Sequence, residues 1–181
     1  LHVANADASW LAGFGVGTSK NQDYDCIGCG PIGAIDDSGR GYKLFGGNRF
    51  HRNIAVVGGF AQLADTEATG PLPFTDQLEV NGAYVSAVGI LPLSATFELF
   101  STLGLFRWNQ DVTYNGIGGS FNGTDLTYSV GAGYNFSVRG APGIALQAEW
   151  QHFRDVGTSD ALLGHIDDYS LATVNFVFRF Q

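Results

Sequence analysis

Charge is what this sequence has least of. Charged residues fill 14% of its 181 positions, and only two are lysines. An average soluble domain carries roughly 25%. A soluble β-sandwich needs more surface Lys and Glu than this. Methionine is absent. Long apolar runs are missing too. The longest clean run, Ile54 to Ala61, is only strand length, far below the about 18 residues that mark a spanning helix. Mean hydropathy is near zero, which excludes a helical membrane protein. The net charge of −8 gives no attraction for nucleic acid phosphates. No leader with a charged start and an apolar centre is present. Ala4-Asn5-Ala6 is similar to the end of a cleavage site, so residues 1–6 read as its remnant.

What is abundant is glycine, with 26 residues, and phenylalanine, with 14. Few charges, many aromatics and apolar residues in alternate positions describe a closed transmembrane β-barrel. We read residues 1–7 as a tail and 8–181 as one barrel domain. The expected class is all-β, an eight-stranded antiparallel up-and-down barrel. Its strands are placed at about 8–18, 40–50, 54–63, 80–92, 97–108, 124–137, 143–154 and 169–180. Long connections at 19–39, 64–79, 109–123 and 155–168 alternate with short turns at His51-Arg52-Asn53, Leu93 to Thr96 and Val138 to Pro142. Outer-membrane barrels show this rhythm, with long loops outside and tight turns on the periplasmic side.

The strands alternate. Tyr128, Val130, Ala132, Tyr134 and Phe136 share one face, opposite Thr127, Ser129, Gly131, Gly133 and Asn135. Ala172, Val174, Phe176, Phe178 and Phe180 oppose Thr173, Asn175, Val177 and Arg179. Trp10, Ala12, Phe14 and Val16 oppose Leu11, Gly13, Gly15 and Gly17. The apolar sets are expected to face lipid and the small or polar sets the lumen. The fourth strand, with Tyr84, Ser86, Val88 and Ile90 against Val85, Ala87, Gly89 and Leu91, leaves its faces open. Two aromatic belts are expected. Phe50, Phe97, Tyr134, Phe136, Phe178 and Phe180 mark the turn end. Trp10, Tyr42, Phe106, Trp108, Tyr128 and Trp150 mark the loop end. Acidic residues gather in the long connections, among them Asp23, Asp25, Asp36, Asp37, Asp65 and Asp76. Arg49, Arg52, Arg139 and Arg179 lie toward the turns. Acidic loops can hold divalent cations, but plain solvation is the simpler reading.

Three local patterns invite a chemical reading. Cys26-Ile27-Gly28-Cys29 is a CxxC in an outer connection. An oxidising location favours a disulfide between Cys26 and Cys29; a metal site or free thiols are the alternatives. Gly13 to Lys20 has the glycines of a phosphate loop but not the spacing, and it lies on a strand. Its glycines are better read as making room inside a narrow barrel. The histidines are His2, His51, His152 and His165. His152 is near Asp155, and His165 is near Asp167 and Asp168. Ser159 and Ser170 could supply a hydroxyl, yet no nucleophile, base and acid form a motif. We expect no catalytic residues, no cofactor and no metal.

One stretch gives a family resemblance. Gly41-Tyr42-Lys43-Leu44-Phe45-Gly46-Gly47-Asn48-Arg49-Phe50, followed by Asn53 to Phe60, resembles the second hairpin arm of the outer membrane protein A-like (OmpA-like) transmembrane domain family. Ser86 to Leu93, Leu103 to Trp108, Gly131 to Tyr134, Ala148 to Trp150 and Phe176 to Phe180 resemble later strands of that family. The resemblance implies that Phe176, Phe178 and Phe180 form the terminal assembly signal. It also implies a charged network that plugs the lumen. The family often carries Glu where Val57 stands, Lys or Arg where Thr102 stands, and Arg where Gln147 stands. Glu149 remains, so either Lys43, Arg49 or another base reaches it, or the lumen holds water. Lys43, Arg49, Glu149 and Arg179 are the expected lumen charges. The sequence holds no peptidoglycan-binding domain, so the anchoring role of larger members is not expected of these residues.

Three functions follow for comparison. The first is a non-enzymatic envelope protein that stabilises the membrane and presents loops. The second is a narrow porin-like channel for small solutes or ions. The third is a lipid-modifying enzyme, which would need His152 or His165. Expected partners are outer-membrane lipid, lipopolysaccharide and the barrel assembly machinery. Self-association and contact with other envelope proteins stay open. The expected location is the bacterial outer membrane.

Overall fold

The computed structural model describes residues 9–21, 34–36, 38–63, 66–69, 75–114, 117–136, 143–157 and 166–180. Ten strands are formed: β1 (Ser9–Asn21), β2 (Ala34–Asp36), β3 (Ser38–His51), β4 (Ile54–Gln62), β5 (Thr66–Thr69), β6 (Thr75–Pro92), β7 (Phe97–Tyr114), β8 (Ile117–Phe136), β9 (Gly143–Gly157) and β10 (Ile166–Phe180). Eight of them close a ring in the order β1-β3-β4-β6-β7-β8-β9-β10, and β10 returns to β1. Every pairing is antiparallel. This is an eight-stranded barrel, and closure gives each strand two neighbours in the region where no water is available.

The outer face explains how the barrel sits. Apolar outward residues run over Phe97–Leu105 on β7, Leu126–Phe136 on β8 and Ala172–Phe180 on β10. Each run matches the about 9–11 residues that carry a tilted strand across hydrocarbon. Above these runs the outward positions turn polar: Arg107, Asn109 and Asp111 on β7, Thr124 and Asn122 on β8, Ser170 and Asp168 on β10. Lys20 on β1 and Arg40 on β3 mark the same boundary.

Several details depart from expectation. The stretch 109–123 is not a loop. The β7–β8 ladder continues to Tyr114↔Ile117, leaving only Asn115 and Gly116 between the paired residues. Asn-Gly is the strongest short hairpin signal, and it lay inside a segment too polar to alternate in hydropathy. Within 64–79, β5 and the start of β6 pair as well, and β5 takes on β2. The faces of β6 are now assigned: Tyr84, Ser86 and Val88 point inward, and Val85 and Leu91 outward. Trp10 pairs with Phe180 and Asn48, so it belongs to the turn-end belt rather than the loop end. Phe106 and Trp108 are buried in the lumen and belong to neither belt. The CxxC cysteines, Cys26 and Cys29, lie outside the described residues, as do His2, Ser159 and His165.

The lumen is filled by a size-matching rule between strands. Four inward rings each lie across a glycine that is their direct cross-strand partner: Phe45 over Gly13, Tyr84 over Gly59, Phe100 over Gly131 and Trp108 over Gly123. A Cβ built on any of these glycines would come within 2.3–2.8 Å of the ring. An eight-stranded interior is just wide enough for side chains to fill, and at these four positions the glycine supplies the room that the ring takes.

Gly131→Ala is therefore expected to destabilise the barrel by about 1–3 kcal/mol through overpacking. Its new Cβ would meet both the Phe100 ring and the Ala148 carbonyl. Gly89→Ala faces outward, with its nearest neighbour at 3.6 Å, and is expected to be close to neutral. Urea unfolding of the refolded barrels checks the pair. Equal midpoints for the two variants would contradict the matching rule.

Candidate functional site

Among the described residues, buried Lys, Arg and Glu side chains gather in the lumen, which is built in three levels. The loop-end level is apolar. Phe106, Phe153, Trp108, Tyr169, Leu171, Leu63, Val80 and Val156 are at most 2% exposed and form one cluster. Phe106 and Phe153 meet with ring centroids 4.6 Å apart. Two polar edges of this level are bonded. Trp108 Nε1 donates to Asp125 Oδ2 at 2.6 Å, and Asn21 Nδ2 donates to the Tyr169 hydroxyl at 3.3 Å.

The middle level holds an ion pair. Lys43 Nζ lies 2.6 Å from Glu149 Oε2, with both side chains under 10% exposed. Lys43 also donates to Gln151 Oε1 at 3.1 Å and sits 5.6 Å from the centroid of the Phe45 ring. Asn175 Nδ2 donates to the same Glu149 oxygen at 2.7 Å. Gln151 Nε2 passes the chain on to Thr127 Oγ1 at 3.0 Å, and Thr127 donates to the His152 carbonyl at 2.9 Å. Burying two charges costs several kcal/mol per ion, which is offset only when the remaining donors and acceptors are also bonded. This network supplies most of those bonds, with Asn175 Oδ1 left buried and unpartnered. It also ties β3 to β9 across the lumen.

The turn-end level is a second cluster. Glu98 on β7 accepts from Arg49 Nη1 of β3 at 3.2 Å and from Arg179 Nη2 of β10. Arg179 Nη1 donates to Asn135 Oδ1 of β8, and Arg49 Nη2 to the Arg52 carbonyl. Between the two charged levels is a cavity of about 60 Å³. Its walls include Phe45, Ala55, Val57, Val88 and Phe100, with Thr102 and Gln147 as polar members. A buried water needs roughly 10–15 Å³ of such space, so the cavity has room for several.

The sequence reading named Lys43, Arg49, Glu149 and Arg179. The structure places Lys43 with Glu149, and Arg49 with Arg179, in separate levels. The reading missed Glu98, which holds the lower level together. Its inward parity with Phe100 and Thr102 on β7 was the available signal. The neutral residues Val57, Thr102 and Gln147, where the family often carries charge, line the cavity between the levels. Phe176, Phe178 and Phe180 lie exposed on the outer face of β10.

The histidine candidates resolve differently. His152 Nε2 is 3.3 Å from Asp168 Oδ2, and its ring packs against Tyr128 and Trp150 on the outer face. Ser170 is its ladder partner on β10. His152 Nδ1 is buried and has no hydrogen-bond partner, so no bond joins it to the Ser170 hydroxyl. Asp155 pairs with Arg154 instead. A nucleophile needs its base within hydrogen-bond reach. His51 is exposed near a turn and accepts from the Asn53 amide at 3.3 Å. Among the described residues, no three His, Cys, Asp or Glu side chains gather to hold a metal ion.

Glu149→Gln leaves Lys43 buried beside a neutral amide and is expected to cost about 3–5 kcal/mol. Lys43→Met with Glu149→Leu removes both charges and should recover most of that loss. A double-mutant cycle by urea unfolding checks this, and additive effects would argue against the pairing.

Comparison with known proteins follows from this geometry. Ail, the attachment invasion locus protein of Yersinia pestis, superposes with a TM-score of 0.59 at 16% identity, covering 96% of this chain and 99% of Ail. Neisserial surface protein A gives 0.58 at 12% identity, over 96% of this chain and 99% of that one. OprG of Pseudomonas aeruginosa gives 0.55 at 13%, over 98% and 97%. At such identities the likeness is one of fold. No curated protein sequence matches the chain. The model of the outer membrane protein beta-barrel domain matches residues 1–180. The chain therefore belongs to the outer membrane protein beta-barrel domain family, and it is a bacterial outer-membrane protein built as an eight-stranded barrel.

Proposed function

We propose that this protein is a closed, non-enzymatic barrel that stabilises the envelope and presents its loop-end connections to the outside. The observation that carries this reading is the apolar level at the loop end. Solutes crossing the barrel would have to part Phe106, Phe153, Trp108 and Tyr169, each at most 2% exposed. The two ionic levels below add cross-lumen ties. Its surroundings are outer-membrane lipid and lipopolysaccharide, and it enters through the barrel assembly machinery. Ail is known in complex with the heparin analogue sucrose octasulfate. A net charge of −8 speaks against carrying that polyanion over to this chain.

A porin-like channel is the second reading, favoured by the cavity of about 60 Å³ and the polar turn-end level. Conductance in a planar bilayer separates the two. The refolded wild-type barrel is expected to be silent, and Phe106→Ala with Phe153→Ala to give discrete steps. Steps from the wild type would favour the channel.

Two further expectations concern biogenesis. Phe180→Ala should lower the yield of folded barrel in the membrane, because Phe176, Phe178 and Phe180 form the proposed assembly signal. Unchanged yield and heat-modifiable gel mobility would reject that role. Cys26 and Cys29 are proposed to form a disulfide. Full reaction of both with a thiol reagent before reduction would contradict it.

A further inference from the structure

The cavity between the two ionic levels is electrically unbalanced. Three cationic side chains line it, Lys43, Arg49 and Arg179, against two carboxylates, Glu98 and Glu149. Lys43 and Glu149 balance each other. The turn-end cluster does not balance: two guanidinium groups share one carboxylate, and both Glu98 oxygens are already taken. One positive charge is left in excess.

That excess is poorly placed for bulk solvent to neutralise. Glu98 is 4% exposed, and Arg49 and Arg179 are 17% and 20% exposed at the side chain. Arg179 Nε is fully buried and has no hydrogen-bond partner. An unmatched charge in a low-dielectric interior is destabilising. Water can solvate the charge but cannot cancel it. On the closed-barrel reading proposed above, a counter-ion arrives through the turn-end mouth.

We propose that the lumen binds one small monovalent anion, of the halide class, in the cavity beside Arg49 and Arg179. Monovalency follows from the charge count, since a divalent anion would overshoot it. Small size follows from the cavity, whose volume of about 60 Å³ admits an ion with a few waters. Arg49 and Arg179 each carry five N–H donors, more than the two that their bonds use, so guanidinium protons remain for such an ion. The site does not depend on the barrel being silent, because a bound ion stabilises the fold whether or not solutes cross it.

The test is thermal unfolding of the refolded barrel at constant ionic strength, with chloride replaced stepwise by gluconate. Gluconate is monovalent but too large for the cavity. The unfolding midpoint should fall as chloride is withdrawn. Glu98→Gln adds a second excess charge and should tighten chloride binding by at least about tenfold. Arg49→Gln removes the excess and should abolish the chloride dependence. Crystals grown in bromide supply a readout that needs no variant: an anomalous peak is expected in the cavity near Arg179. Superimposed chloride and gluconate curves in both wild type and Glu98→Gln would overturn the proposal. So would bromide peaks confined to the outer surface. If Arg49→Gln does not fold, Glu98→Gln and the bromide peak still decide the matter.

Discussion

A backbone amide in hydrocarbon can bond only to another strand. That constraint forces closure, and closure with eight strands leaves a lumen too narrow to stay empty and too narrow to hold large side chains freely. The other features of the interior follow. Four large inward rings, Phe45, Tyr84, Phe100 and Trp108, take the room left by glycines on the next strand. The abundance of glycine is thus a packing requirement of the lumen rather than a sign of flexibility.

Charge in this lumen answers the same constraint. A charged side chain that points inward finds little water there, and the ones in this lumen reach across the barrel for a partner. Lys43 meets Glu149 from a strand three places away in the ring, and Glu98 is gripped from β3 and β10. Such ties join strands that the hydrogen-bond ladder never brings together. The barrel wall is held by neighbours, and its cross-section is held by these contacts.

The wall was legible in the sequence, because alternation at period two survives wherever one face is lipid. β1, β8 within the bilayer, and β10 were readable for that reason. The top of β7 and β8 was not, since both faces there meet water and alternation in hydropathy disappears. Trp10 was assigned to the wrong end because its height depends on which way the first strand runs, not on its neighbours in sequence. The lumen contacts were only half legible. Parity gives the face a residue points to, but not its height in the barrel. Glu149 and Lys43 are 106 residues apart, and Glu98 and Arg179 are 81 apart. Only strand register sets which of them meet.

β8 carries one more piece of information. Its ladder with β9 begins at Thr127↔Phe153, so among the described residues 117–126 are bonded only to β7. A row of unsatisfied amides and carbonyls cannot enter hydrocarbon. The point where β8 and β9 part therefore acts as a depth gauge, fixing how far the barrel can sink. It falls at Leu126 and Tyr128, the level at which the outward side chains turn from apolar to polar. Two unrelated chemistries, backbone bonding and side-chain solvation, thus set the same waterline. A bilayer thicker than this height would have to thin against the barrel wall rather than rise past the point where β8 and β9 part.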